Sequence, residues 1–129
     1  MHRKKVIQEI IFILIVLLSI LFTSITFFKK DTQTFGVTIL KVSSNSMMPT
    51  FEKGDYILIK KQKEYNVGDI ITYEVEEQGT KYLVTHRIIE KNENGYITKG
   101  DANNTNDEGT IYENVIRGKL FLIIKVPFK

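Results

Sequence analysis

Between a long apolar segment and a series of short strand-like segments, the chain reads Ser43-Ser44-Asn45-Ser46-Met47-Met48-Pro49-Thr50. Three serines within four residues stand beside a methionine pair and one of the chain's two prolines. Serine, asparagine and proline are ordinary turn formers, and methionine fills gaps in apolar cores. Taken alone, the stretch therefore fits a plain turn as well as a functional site, and the residues around it decide between the two.

The apolar segment before this stretch has the length and composition of a membrane-spanning helix. Residues 10–28 carry no charge, and a helix of that length reaches about 28 Å, close to the ~30 Å hydrocarbon core of a bilayer. A cleaved secretory signal would call for a shorter run and a small-residue cleavage site. Here the run ends in Phe27-Phe28-Lys29-Lys30. We expect a retained transmembrane helix at 10–28, between a tail at 1–9 and a linker at 29–36.

Basic residues flank the apolar segment on both sides and indicate its orientation. Arg3, Lys4 and Lys5 precede it, whereas Lys29 and Lys30 follow it. The excess of one basic residue favours a cytoplasmic N-terminal tail and a body on the outer face of the membrane. The formal net charge of +3 is otherwise scattered. Basic residues in this position fit lipid headgroups, so we expect contact with a lipid bilayer and no nucleic-acid binding.

Residues 37–129 have the composition of one small all-β domain. Three segments rich in β-branched and aromatic residues begin at Val37, Tyr56 and Ile70, the last two directly after Gly-Asp turns. Gln78-Gly79 and Glu93-Asn94-Gly95 predict hairpin turns, the second of the tight primed type that Asn-Gly favours. Residues 114–126 return to β-type composition. We predict about seven short strands in a folded sheet or small barrel. The absence of cysteine rules out disulfides and thiolate metal sites.

Side chains that could carry out chemistry are few in this body. His86 is the one histidine outside the tail, and strand alternation places it on the same face as Val84 and Ile88. Asp101 and Asp107 flank a polar loop. A serine hydroxyl needs a base within hydrogen-bond reach, histidine titrates in the right range, and a carboxylate fixes the tautomer of the histidine. The chain therefore holds the inventory of a nucleophile, a base and an orienting carboxylate.

Four short motifs resemble the boxes of type I signal peptidases, in the same order. They are Ser44-Asn45-Ser46-Met47-Met48-Pro49-Thr50, Gly68-Asp69-Ile70-Ile71, Thr85-His86-Arg87-Ile88, and Lys99-Gly100-Asp101 with Asn103-Asn104 and Asp107. The His-Arg box is similar to that of the endoplasmic-reticulum and archaeal branch, which also occurs in some spore-forming bacteria. The common bacterial branch has a lysine base instead. The resemblance extends from the apolar segment to about Gly118.

The resemblance implies Ser46 as nucleophile and His86 as general base, with no cofactor or metal. It assigns the oxyanion to the backbone N–H of Ser46, helped by the Ser44 hydroxyl, and lets Met47 add apolar surface for the substrate. Ala102 interrupts the Asp-Asn-Asn run usual in the family. We therefore expect Asp107 to orient His86, with Asp101 as a nearby structural or substitute carboxylate.

The resemblance predicts a membrane-anchored serine endopeptidase that cleaves signal peptides from exported preproteins, in a bacterial plasma membrane. Two alternatives stay open: an inactive membrane-tethered binding module, and a self-cleaving protease of the same fold. Many members of this branch continue into a second membrane segment. Residues 120–126 are too short to span, so we expect either a single-span member or a shortened chain.

Overall fold

The computed structural model describes residues 2–30 and 36–127, which fall into two compact units, Met1–Phe35 and Gly36–Lys129. The first unit holds one helix, α1, at His2–Lys30. Its Lys5–Ser24 stretch, with a mean hydropathy of 2.7, is long and apolar enough to cross a membrane. Most of the predicted linker at 29–36 lies outside the described residues.

The second unit is built on one antiparallel sheet of six strands. The strands are β1 (Val37–Lys41), β2 (Tyr56–Lys60), β3 (Ile70–Glu77), β4 (Thr80–Asn92), β5 (Gly95–Lys99) and β6 (Ile116–Ile124). Their order across the sheet is β1-β2-β6-β3-β4-β5. The prediction of an all-β domain after an N-terminal apolar helix is confirmed.

The sheet has six strands in the described residues where about seven were expected. Ile111 makes an isolated bridge to Tyr96 through two backbone hydrogen bonds of 3.0 and 2.8 Å, and no strand extends from it among the described residues. Residues 114–126 contribute a 3₁₀ turn at Glu113–Val115 and then the single strand β6.

Glycines explain where the strands begin and turn. Gly54 and Gly68 both adopt φ = +94° just before β2 and β3, a conformation that residues with a Cβ rarely reach. The predicted Gln78-Gly79 hairpin between β3 and β4 is confirmed, and both residues have positive φ. The predicted hairpin at Glu93-Asn94-Gly95 is confirmed between β4 and β5. Its turn is not of the expected primed type, because Glu93 and Asn94 occupy the two turn positions and neither has a positive φ. Asn92 pairs with Gly95, and the Asn92 side chain accepts the backbone N–H groups of Asn94 and Gly95, so this turn is held by a side chain.

Two apolar clusters form the core. One contains six buried residues, namely Tyr65, Ile71, Tyr73, Ile88, Tyr96 and Ile116. The other contains five, namely Met47, Phe51, Ile57, Ile59 and Ile70. Ile70 and Ile71 are neighbours on β3 with side chains on opposite faces, so this strand separates the clusters. The second cluster draws two members from the Ser43–Thr50 stretch and its continuation, which anchors that stretch to the sheet.

Candidate active site

Ser46 lies in a turn that leaves the sheet between β1 and β2. The Val42 N–H donates to the Asp55 carbonyl (2.8 Å) and the Gly54 N–H donates to the Val42 carbonyl (2.9 Å), closing the base of the excursion. The Asn45 side chain accepts the Lys53 N–H at 2.9 Å. Burial of Met47 in the second cluster then fixes the turn from inside. Ser46 is thereby held half-buried, with its hydroxyl facing β4.

His86 stands on β4 directly opposite Ile71 of β3, on the face that the alternation predicts. Its side chain is buried, with 8% of the residue exposed. The Nε2 atom lies 3.1 Å from the Ser46 Oγ. The buried imidazole therefore lies within hydrogen-bond distance of the Ser46 hydroxyl.

Asp107 is the carboxylate that meets His86. Its Oδ2 lies 2.6 Å from the His86 Nδ1. The loop after β5 returns along that strand, where the Asp107 N–H donates to the Thr98 carbonyl at 2.8 Å. Ser46, His86 and Asp107 thus form one continuous hydrogen-bonded chain. In that order, an imidazole can take the serine proton while the carboxylate stabilises the resulting imidazolium.

Asp101 faces a different partner. It accepts two hydrogen bonds from Arg87, Nε to Oδ1 at 2.8 Å and Nη2 to Oδ2 at 2.7 Å, and a third from the Thr50 hydroxyl at 2.5 Å. The Arg87 guanidinium holds the pKa of the Asp101 carboxyl below its usual value, and Asp101 in turn raises the pKa of Arg87. Asp101 therefore joins the end of the serine turn to β4.

The two remaining predicted site residues differ in position. The Ser44 Oγ lies 3.2 Å from the Ser46 Oγ, on the surface of the same turn. Met47 is only 1% exposed, and its sulfur accepts the Asp101 N–H at 3.4 Å. The expectation that Met47 offers apolar surface to a substrate therefore does not fit its position. The Met47 side chain instead packs in the second core cluster, where it anchors the turn that carries Ser46.

An open cleft of about 510 Å³ runs past Ser46 and His86. One wall is formed by residues 40–44 at the end of β1, and the other by residues 82–86 of β4. Phe51 and Ile57 also line the cleft. Both walls carry apolar side chains together with polar ones, and Ser46 itself lines the cleft. An extended peptide segment in the cleft could therefore bring a backbone carbonyl to the Ser46 hydroxyl.

Sequence reasoning missed two hydroxyls behind the carboxylate. Thr98 donates to the Asp107 Oδ2 at 2.6 Å, and the Tyr73 hydroxyl donates to the same oxygen at 3.1 Å. Burial raises the pKa of Tyr73 far above its usual value, with the nearby Asp107 charge adding to the shift. A signal was available, because β5 alternation puts Thr98 on the inward face beside Tyr96. A polar residue at an inward position needs a partner.

No three metal-ligating side chains come together within residues 2–30 and 36–127. The chemistry suggested by these residues is that of a hydroxyl nucleophile, an imidazole and a carboxylate. Such a set catalyses acyl transfer with protein groups alone.

Comparison with known proteins identifies the family. The Peptidase S24-like family matches residues 20–115, three quarters of the chain. The chain belongs to this family. Signal peptidase I W of Bacillus subtilis (strain 168) is 33% identical over 123 residues, which cover 90% of this chain and 63% of that protein.

Two further relatives are catalytic subunits, named SEC11, of signal peptidase complexes. The subunit of Scheffersomyces stipitis is 37% identical over 76 residues, covering 55% of this chain and 45% of that protein. The subunit of Saccharomyces cerevisiae (strain YJM789) is 35% identical over 82 residues, covering 59% and 47%. The chain thus spans between 45% and 63% of the length of these relatives. The predicted resemblance to type I signal peptidases is confirmed.

Proposed function

We propose that this protein is a membrane-anchored serine endopeptidase that cleaves signal peptides from exported preproteins. The observation that carries the proposal is the hydrogen-bonded chain from the Ser46 Oγ through both nitrogens of His86 to Asp107. The names of the relatives support the substrate class. We assign Asp101 a structural role beside the turn that carries Ser46, because its carboxylate accepts hydrogen bonds from Arg87 and Thr50.

In this mechanism His86 accepts the Ser46 proton at Nε2 as the serine oxygen attacks the scissile carbonyl. The Nδ1–H stays with Asp107, whose negative charge stabilises the imidazolium. His86 then donates the Nε2 proton to the leaving amine, and a water molecule hydrolyses the acyl-enzyme by the same route. The Ser46 backbone N–H donates no hydrogen bond among the described residues, so it is available, with the Ser44 hydroxyl, to stabilise the oxyanion.

The substrate in this proposal lies extended along the cleft. β1 is an edge strand, and residues 80–86 of β4 pair with β3 on one side while β5 joins β4 only from Arg87 onward. Both walls therefore offer backbone groups to an added strand. The apolar side chains on the two walls suit the small apolar residues that type I signal peptidases accept before the cleavage site. Helix α1 anchors the chain in a bacterial plasma membrane, with the sheet unit on the outer face.

The test is the release of the signal peptide from a preprotein by the full chain in membranes. Ser46→Ala, His86→Ala and Asp107→Asn should each lower kcat/KM by roughly 10³-fold or more, because each breaks the same hydrogen-bonded chain. Ser19→Ala is the matched control, since its hydroxyl bonds only within helix α1. Wild-type activity in the Ser46 or His86 variant would falsify the mechanism.

A serine-reactive covalent probe separates an enzyme from an inactive binding module. We expect labelling of wild-type protein at Ser46 and none in His86→Ala, because the hydroxyl needs the base for reactivity. Folded protein without labelling would favour the binding module. Cleavage of the chain itself, with no cleavage of preprotein, would favour a self-processing protease.

A further inference from the structure

Two buried hydroxyls, those of Tyr73 and Thr98, stand behind the carboxylate of Asp107. We propose that they are positioning residues, which hold the Asp107 carboxylate in the orientation that sets the tautomer of His86. The inference rests on the proposed function, in which His86 is the base. It adds two residues that none of the four sequence motifs contains.

A single carboxylate oxygen collects all three contacts. The Oδ2 of Asp107 lies 2.6 Å from the His86 Nδ1, 2.6 Å from the Thr98 Oγ1 and 3.1 Å from the Tyr73 hydroxyl. The two hydroxyls are also 3.0 Å apart. Tyr73 is on β3 and Thr98 on β5, with β4 between them. Their side chains therefore meet over the face of β4 on which His86 stands.

An ionised carboxylate oxygen only accepts hydrogen bonds, so each of its three partners must donate to it. Thr98 has one hydroxyl proton and donates it to Asp107. Tyr73 also donates to the Asp107 Oδ2, and either hydroxyl can share its proton with the other. An oxygen that accepts from both hydroxyls presents lone pairs to the imidazole, so the His86 Nδ1 must carry the third proton. The His86 Nε2 is then left unprotonated and facing Ser46, which is the tautomer that a general base requires.

Asp107 needs this external support because nothing local fixes its carboxylate. It lies in a loop without regular secondary structure, and its side chain is 20% exposed. Rotation about the last bond of an aspartate is broad rather than confined to sharp wells. Donors on two neighbouring strands therefore select one rotation, and both strands belong to the rigid sheet.

The burial of Thr98 and Tyr73 indicates that their hydroxyls serve to bind the Asp107 carboxylate. Thr98 is fully buried and Tyr73 is 2% exposed, among the apolar residues of the first cluster. Valine and phenylalanine would fill nearly the same volume without the cost of removing a hydroxyl from water. Without Asp107, each of these hydroxyls would keep only the other as a hydrogen-bond partner among residues 2–30 and 36–127.

The opposite face of the sheet offers a matched control. Thr72 is fully buried, and its hydroxyl lies 2.8 Å from that of Thr85. Thr72 neighbours Tyr73 but points away from His86 and Asp107. Thr72→Val therefore removes a buried hydroxyl from the same strand and leaves the carboxylate untouched.

The experiment compares Thr98→Val, Tyr73→Phe and Thr72→Val in the full chain. We expect kcat to fall about 10- to 100-fold in Thr98→Val, and less in Tyr73→Phe because its bond is longer, since small misplacements of catalytic groups cost up to about 10²-fold. KM should stay within roughly twofold, because neither residue lines the cleft. Thr72→Val should keep wild-type kcat, even if its melting temperature falls as far as that of Thr98→Val.

A proton NMR signal makes the test independent of substrate. The short bond between His86 and Asp107 should give a low-field imidazole N–H resonance, which His86→Ala assigns by its loss. We expect this resonance to persist in Thr72→Val, to move upfield or broaden in Tyr73→Phe, and to do so more strongly in Thr98→Val. An unchanged resonance and kcat in both positioning variants would overturn the inference. In a further outcome, the wild-type protein cleaves no preprotein while the resonance is still weakened in Thr98→Val and Tyr73→Phe. That result would support the positioning role of the two hydroxyls and contradict the proposed substrate.

Discussion

One ion pair, between Arg87 and Asp101, connects the serine turn to strand β4. Arg87 also donates to the Gly68 carbonyl at 2.9 Å, and Asp101 accepts from Thr50 at the end of the turn. A bidentate arginine–carboxylate pair fixes both distance and angle. The pair therefore fixes the position of the strand that carries His86 relative to the turn that carries Ser46.

The Arg87–Asp101 pair makes the free energy of unfolding of the sheet unit depend on pH in the acidic range. The folded-state pKa of Asp101 lies below its unfolded value of about 3.9. Its contribution to stability is therefore complete above that value and is lost as pH falls through it towards the folded pKa. Asp101→Asn should lower the free energy of unfolding by roughly 1–3 kcal/mol at pH 7, and the difference from wild type should shrink between pH 5 and 3.

Thermal melts over pH 3 to 7 measure this effect. Glu64→Gln is the control, because it breaks an exposed ion pair with Lys91, and exposed pairs contribute about 0–1 kcal/mol. A constant difference between wild type and Asp101→Asn across that range would contradict the assigned role of the carboxylate.

At the residue scale the sequence predicted the types of side chain in the site better than their partners. Strand alternation was enough to place His86 on the correct face. The expectation of Asp107 as the partner of His86 came from Ala102, which interrupts the run usual in the family, and the structure places Asp107 there. The geometry behind that choice depends on how a loop folds back along β5, which no local pattern encodes. Met47 was misjudged for a similar reason, since a methionine beside a nucleophile can face the cleft or the core.

At the scale of elements, Gly-Asp turns and β-branched runs were sufficient to locate the strands. Their order was not accessible, because β6 inserts between β2 and β3 and such pairing is set by non-local packing. Gly118 on β6 shows one constraint. A Cβ at this position would come within 2.9 Å of the Lys60 backbone, so close approach of β2 and β6 requires glycine there.

The turn after β5 contacts the backbone of Ser46. The Ala102 N–H donates to the Ser46 carbonyl at 2.9 Å. A Cβ on Gly100 would lie 2.7 Å from that carbonyl oxygen and 2.6 Å from the Asn103 side chain. Gly100→Ala should therefore displace the Ser46 backbone and lower kcat/KM at least about tenfold in folded protein, since misplacement by 1 Å can cost 10²-fold.

Gly109→Ala is the control for this substitution. Gly109 has φ = +82° with open space around its Cβ position, so alanine there should cost about 1–2 kcal/mol of stability and leave kcat/KM unchanged. The two variants are compared by steady-state cleavage and thermal melting. Normal catalysis by Gly100→Ala would show that the turn tolerates displacement, contrary to the prediction.

At the scale of the whole molecule, the candidate catalytic residues and the apolar helix belong to different compact units. All of the side chains that form the candidate site, and both core clusters, lie in the unit Gly36–Lys129. A fold with its own core and hydrogen bonds needs no second unit for stability. Residues 36–129 should therefore fold without residues 1–35 and keep a single cooperative unfolding transition.

The two kinds of substrate should then respond differently to removal of the helix. Cleavage of a short soluble peptide by residues 36–129 should stay within about threefold of the full chain, because the site is intact. Cleavage of a membrane-inserted preprotein should fall by roughly 10²-fold or more, since in the proposed function helix α1 confines enzyme and substrate to one membrane surface and raises their effective concentration. Replacing residues 1–35 with an unrelated single-span helix should restore that activity. A truncated protein that cleaves the inserted preprotein as fast as the full chain would show that the helix contributes nothing to substrate encounter.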